Sequence, residues 1–179
     1  MNIEASIYGL MAEFETHVEL LEAAKKAHER GYRCMDGYTP FPVEGLPEAL
    51  GLKRTRVPLL VLLGGIFGGV GGYFMEWYAN VVSYPLNIGG RPMNAWPLFI
   101  PITFELTILC AALAGFFGSL AMNKLPQPYH PVFNVPRFER ASIDRFFLCI
   151  EAADPMFDAV TTRAFLASMD AASISEVQK

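Results

Sequence analysis

From Val57 to Met75 the chain carries no charged residue, and from Trp96 to Met122 it carries a single one, Glu105. At about 1.5 Å per residue the first run makes roughly 28 Å of helix, close to the bilayer's hydrocarbon thickness of about 30 Å. The two runs predict a pair of transmembrane helices, about 57–81 and 96–122, and the rest of the chain has to be arranged around them. Inside the first run lies "GGIFGGVGG", residues 64–72. A phosphate-binding loop would need a following Lys and Ser/Thr, but Tyr73, Phe74 and Met75 follow and no cation is in reach. Each glycine would cost a soluble helix about 1 kcal/mol. In lipid the same residues have a use, because small side chains let two helices approach closely. Gly64, Gly68 and Gly72 recur every fourth position as one smooth stripe, and Ala111, Gly115 and Ser119 supply a matching row on the second span. The stretch reads as a helix-packing surface.

The flanking charges set a direction. Lys53, Arg54 and Arg56 precede the first span; Lys124 follows the second, with Arg137 and Arg140 further on, while the connecting loop holds only Arg91. The positive-inside rule then places both termini in the cytoplasm and the loop 81–95 outside. Trp77, Tyr78, Tyr84 and Trp96 fall at the outer interface as an aromatic belt. The expectation is a multi-pass protein of a bacterial inner (cytoplasmic) membrane. The opening residues, Met-Asn-Ile-Glu-Ala, show neither a basic nor an apolar leader region, so no signal peptide is expected.

A net charge of −4 gives a nucleic-acid partner no electrostatic support. The three cysteines, Cys34, Cys110 and Cys149, are far apart, and no Cys-x-x-Cys or Cys-x-x-Cys-His occurs. Attached haem c, a zinc site and an iron–sulfur site on this chain are therefore not expected. Cys34 and Cys149 are expected to react only from the cytoplasmic side. His17, His28 and His130 have no partners at metal spacing and read as surface or interface histidines.

The segments outside the spans share one grammar. Ser6–Met11 reads as a strand. Thr16 with Glu19 forms a capping box that opens a helix to Arg30, with Val18, Leu21 and Ala24 on its apolar side and Gly31 as its stop. Tyr32–Tyr38 is a second strand. Beyond the spans, Arg145–Glu151 is a strand, Asp154-Pro155 starts a helix to about Met169, and 172–177 makes a last short strand. Neither half buries its apolar faces alone. The fold class predicted is an α+β membrane protein: a two-helix hairpin (57–123) inserted into a split ferredoxin-like βαβ–βαβ cytoplasmic domain, built from 1–56 and 124–179. Two proline-rich linkers, 39–47 and 125–136, carry Phe41, Tyr129 and Phe133, with Phe138 just beyond. These aromatics either pack under their own domain or form a strap on a partner subunit.

Glu105 is the residue that most asks for a function. It lies about 13 Å below the outer interface by residue count, where carboxylates usually face a partner, a cavity or a proton route. Two readings stay open: a proton or quinone pathway shared with a neighbouring subunit, or a hydrogen-bonded Glu that locks two helices. Glu76, beside Trp77, reads as an interfacial carboxylate able to snorkel to water, with a site as the lesser alternative. Asp36, Asp144, Glu151 and Asp154 read as strand-end or capping charges, and neither a catalytic triad nor paired carboxylates are evident.

Several stretches together, "YGLMAEF", "GYRCMDGYTPFPVEGL", "LGLKRTRVP", "GGIFGGVGGYF", "YPLNIGGRPMNAWP", "PITFELTIL", "PYHPVFNVPRFERAS" and "DRFFLCIEA", resemble the family of two-span, D-type membrane subunits of bacterial alternative complex III. The likeness runs in the same order along nearly the whole chain. It implies a non-catalytic structural subunit of a quinol:electron-acceptor oxidoreductase, partnered by other membrane subunits and the lipid bilayer. Haem c, iron–sulfur clusters and menaquinol would belong to those partners, with no cofactor bound by this chain. No chemistry carries over to Glu105. A membrane-anchored ferredoxin-like regulatory or sensor module is the alternative, and a small transporter is a third, for which two spans are sparse.

Overall fold

The computed structural model describes residues 7–52 and 55–179; Ser6, expected to open the first strand, and the cations Lys53 and Arg54 lie outside the described residues. In chain order the regular elements are β1 (Ile7–Phe14), α1 (His17–Arg30), β2 (Met35–Tyr38), α2 (Leu46–Ala49), α3 (Val57–Trp77), α4 (Ile100–Met122), β3 (Phe146–Glu151), α5 (Ala159–Ala167) and β4 (Ser173–Gln178). They divide into two compact units, one from Met1–Lys53 with Pro128–Lys179 and one from Arg54–Gln127.

The first unit is built on a four-stranded sheet in the order β2-β3-β1-β4, with every neighbouring pair antiparallel. β1 is central, and its Met11 lies opposite Cys149 of β3 on one side and Ser175 of β4 on the other. Alternation along the strands sends residues to two faces. Leu10, Ala12 and Phe14 of β1, with Phe146, Leu148 and Ile150 of β3, pack against Leu20, Ala23, Ala24 and Ala27 of α1 and Phe165 and Leu166 of α5. Met11, Phe147, Cys149 and Val177 point the other way and are covered by Val132, Val135, Phe138 and Ala141. Both faces are dry, which is why "IYGLMAEF" and "FFLCIE" read as apolar runs interrupted only by Glu13 and ended by Glu151, rather than as alternating ones. Burying a side chain the size of Phe147 in this way stabilises by about 2–3 kcal/mol.

That second cover decides the linker question in part. The segment after Pro128 forms two 3-10 turns, Pro131–Asn134 and Phe138–Ser142. A 3-10 turn has about three residues per turn, so residues three apart share a side. Val132, Val135, Phe138 and Ala141 accordingly face the sheet, while Phe133 stays 70% exposed and Tyr129 and Phe41 are also exposed.

Helix α1 is capped as its sequence requires. Glu19 N donates to Thr16 Oγ1, Thr16 N donates to Glu19 Oε2, and Gly31 takes a left-handed φ of 112°. Its buried stripe is Leu20, Ala23, Ala24 and Ala27, however, so Val18 points outward. The start of α5 also differs from expectation. Its N-cap is Asp158, which accepts from Thr161 N at 2.8 Å, and Asp154 has another task. Asp154 accepts backbone N–H from Arg33 (2.5 Å), Cys34 (2.7 Å) and Met156 (2.8 Å), tying the entry of β2 to the turn after β3. Burial works against ionisation of Asp154, but these three donors outweigh it and hold its pKa below the usual carboxylate range. Both aspartates match the cap signature; only the contact with residues about 120 positions away tells them apart. No glycine follows α5, and Asp170 takes the left-handed φ (54°) instead, a conformation that Asp tolerates better than most side chains.

In the second unit α3 runs into a π-helical turn, Tyr78–Ser83, and a loop leads through a 3-10 turn, Trp96–Leu98, to α4. Both helices are long and apolar enough to cross a membrane; only 17% of the most apolar window of the first is buried and none of the second's. They are therefore not core helices of this chain, and their apolar surface is left for lipid or for other proteins. Glycine sets how closely they pack. A Cβ on Gly68 would fall 2.3 Å from the Leu106 carbonyl oxygen and 2.8 Å from Cys110 Cβ, and one on Gly64 2.5 Å from Ala114 Cβ, whereas one on Gly71 would meet nothing. Gly68→Ala should therefore destabilise the hairpin by about 1–3 kcal/mol, the usual cost of forced overpacking. Gly71→Ala should be neutral or slightly stabilising. Thermal unfolding of the full chain in mild detergent checks both.

Candidate functional site

Each unit gathers polar groups at one place. In the sheet unit the register of β1 against β4 shifts by one residue between Ile7 and Gly9, leaving Tyr8 as a bulged residue. A bulge re-aims a side chain, and Tyr8 sits on the same face as Met11. Its hydroxyl donates to Glu151 Oε1 at 3.0 Å and lies 3.3 Å from His130 Nε2. Val132 N donates to His130 Nδ1, so the ring proton belongs on Nε2, which donates to the Tyr8 oxygen. Asp36, opposite Cys149 in the register, lies beside Glu151 on the same sheet face. Burial raises its pKa, the charge of Glu151 raises it further, and His130 opposes the rise. Burial likewise raises Tyr8 and Tyr38, and burial with the nearby carboxyls of Asp36 and Glu151 pushes the Cys149 thiol up to about 12.

Asp36 and Glu151 are thus a pair and not the separate strand-end charges the sequence suggested. Fully buried, with its thiolate disfavoured, Cys149 cannot report topology by labelling; Cys34, partly exposed, can. Farther along the same face Glu13 is 1% exposed. It accepts from Arg137 Nη2 at 2.8 Å and Ser173 Oγ at 2.9 Å, with Arg145 Nε at 3.6 Å. Glu13 does not stand out among the sequence-predicted residues. The usable signal is an acid inside an otherwise apolar strand, which has to be paired when buried. Among the described residues no group of three or more His, Cys, Asp or Glu is placed to hold a metal ion.

In the helix unit the two carboxylates have opposite placements. Glu76 is not at the surface. It is 9% exposed, with Oε2 3.4 Å from the Thr103 hydroxyl of α4. Around it Asn80 Nδ2 donates to the Glu76 carbonyl at 2.8 Å, and Arg91 donates to Asn80 Oδ1 at 3.2 Å. Thr103 supplies the donor that water would otherwise provide, which is why the side chain can turn inward. Glu105 is exposed. It does not lie among the α4 residues nearest α3, which are Thr103, Leu106, Thr107, Cys110 and Ala114. It therefore cannot lock α3 to α4.

The glycine stripe meets those same residues. Gly64 lies against Ala114 and Cys110, Gly68 against Leu106 and Cys110, and Gly72 against Leu106 and Thr103. Of the row proposed to receive it, Ala111 lies beside Gly65, Gly115 beside Val61, and the Ser119 hydroxyl donates to the Gly115 carbonyl at 2.5 Å. The receiving side of α4 is thus turned by one position, because Cys110 and Ala114 are small enough to serve.

Comparison with protein families adds a match along almost the whole chain. A family model described as alternative complex III, ActD subunit, matches residues 8–176. The chain belongs to that family. A comparison with curated proteins finds no match. As an ActD-family member it is part of a multi-subunit electron-transport complex, and its two apolar helices are compatible with a membrane location.

The raised pKa of Asp36, caused chiefly by burial, gives a pH-dependent prediction. Its folded pKa lies above the unfolded value of about 3.9, so stability falls as pH rises through that window, because ionisation is harder in the folded state. Asp36→Asn removes the penalty. The variant should unfold at a higher temperature than the parent at pH 7, with the gap closing toward pH 4. Thermal scans of the full chain in detergent at the two pH values measure it.

Proposed function

We propose that this chain is a non-catalytic structural subunit of a quinol-oxidising alternative complex III, anchored in the bacterial inner membrane by α3 and α4. The sheet unit is read as a ferredoxin-like domain split by the hairpin, with both chain ends cytoplasmic, bracing the assembly from that side. The observation that carries the reading is the double pairing of β1, with β3 and with β4, because it joins the segments before and after the two helices into one sheet. The strand order and the two helices on one face support the ferredoxin-like assignment. The charges of Arg56 and Lys124 support the orientation. Haem c, iron–sulfur clusters and menaquinol are assigned to partner subunits, and electron transfer is assigned to them as well.

A carboxylate inside a spanning helix is costly, up to about 3 kcal/mol at the helix centre on insertion scales, so it is retained where it has a use. Glu105, turned away from its own hairpin, is read as contributing to a proton or quinone pathway at a boundary between subunits. The sensor alternative finds its support in a groove of about 520 Å³ beside Tyr38, His130 and Phe133 on the sheet unit.

Purification of the tagged chain in mild detergent tests the main reading. Co-purification with haem c and menaquinol oxidation is expected; recovery as a lone homo-oligomer would favour the sensor. In the purified complex, Glu105→Gln should lower quinol turnover about ten-fold or more if the carboxyl carries protons, and unchanged turnover would remove the pathway role. Cys34 should react with an impermeant thiol reagent in inverted vesicles and not in intact cells.

A further inference from the structure

Resting on the subunit reading, we propose that the Glu105 face of α4 is a docking surface for a transmembrane helix of another subunit of the complex. That helix would present a hydrogen-bond-donating side chain at the depth of Glu105. An α-helix turns about 100° per residue, which puts Ala114, nine residues on, about 180° from Glu105. Ala114 and Cys110 are the residues against Gly64 of α3. Glu105 therefore sits at the centre of the side of α4 that α3 does not touch. The neighbours on that side at turn spacing are Ile102, Leu109, Ala112 and Phe116, all exposed and all apolar.

The pattern names its occupant. An apolar side alone would suit lipid, and lipid tails offer a carboxyl no hydrogen bond. Other polar side chains of the membrane helices are satisfied within this chain: Thr107 donates to the Thr103 carbonyl, Ser119 to the Gly115 carbonyl, and Glu76 receives Thr103. Glu105 has no protein hydrogen-bond partner among the described residues. Glu105 lies five residues into α4, about 7–8 Å from Ile100, with the 3-10 turn Trp96–Leu98 still before it, farther than a Glu side chain reaches by snorkelling. A second copy of the same face would set carboxyl against carboxyl, so a donor from a different subunit is the complementary partner.

The test uses the intact complex, purified through a tag on another subunit. Glu105→Gln keeps hydrogen-bonding capacity and should leave this chain in the complex at the parental level. Glu105→Ala, which removes it, should lower the amount retained by about three- to ten-fold, the range of single hydrogen bonds between membrane helices. Leu109→Trp should lower it as well, and Phe117→Trp, on the flank, should not. Equal membrane levels of each variant exclude failed insertion. A photo-crosslinking residue at 109 should join this chain to a membrane-spanning peptide of another subunit, and one at 117 should not. Parental retention of Glu105→Ala with no crosslink from 109 would overturn the docking surface while leaving the subunit reading standing. Absence of the unaltered chain from the complex would overturn the subunit reading first.

Discussion

Everything in the sheet unit depends on β1 finding hydrogen-bond partners on both of its edges. Both come from the far end of the chain, β3 on one side and β4 on the other. Without them β1 would expose two unpaired edges and an apolar face on each side, a strong liability for a strand of this composition. The segment between them, which contains α3 and α4, must therefore bring the chain back to β1. In the proposed membrane arrangement two spans achieve this, whereas one or three would strand β1 and its partners on opposite sides. The close helix pair allows the return: Gly64, Gly68 and Gly72 let α3 seat against the Leu106 and Cys110 backbone of α4.

Buried polar groups hold the chain ends in register once they meet. Glu13 joins β1 to Arg137 of the linker and Ser173 of β4. Asp154 gathers three backbone donors from two segments. His130, Tyr8 and Glu151 form a chain of hydrogen bonds that fastens the linker to the sheet face opposite the helices. Each would be costly if left half-paired, and each is satisfied only when residues more than a hundred positions apart are in place. Such groups favour one arrangement of the two ends over the many slipped ones that hydrophobic burial alone would tolerate.

What was legible in the sequence was what depends on local or periodic chemistry. The capping box at Thr16 and Glu19, the stop at Gly31, the strand after Arg145 and the two long apolar helices are all present near the expected residues. What was not legible required knowledge of partners. Asp154 and Asp158 carry the same cap signature, and only the approach of Arg33 and Cys34 separates them. Tyr8 reaches Glu151 through a bulge that no residue type announces. Glu76 turns inward because the Thr103 hydroxyl of the other helix donates to it, and Glu105 turns outward because the small residues that seat against α3 lie on the opposite side of α4. The linker divides along a three-residue period, set by 3-10 turns that its prolines permit.

The most direct measurement is of the β2–β3 register across a severed chain. Met35 lies opposite Ile150 and Glu151 N donates to the Cys34 carbonyl, so the partly exposed Cys34 lies opposite Glu151, and directly opposed residues in antiparallel strands have Cα atoms about 4.5–5.5 Å apart, within disulfide range. With Glu151→Cys introduced and a protease site placed in the 84–95 loop, oxidation followed by cleavage in detergent should leave the two halves joined until a reductant is added. Halves that separate on a non-reducing gel, with both thiols still free after oxidation, would contradict the joining of the two ends in one sheet.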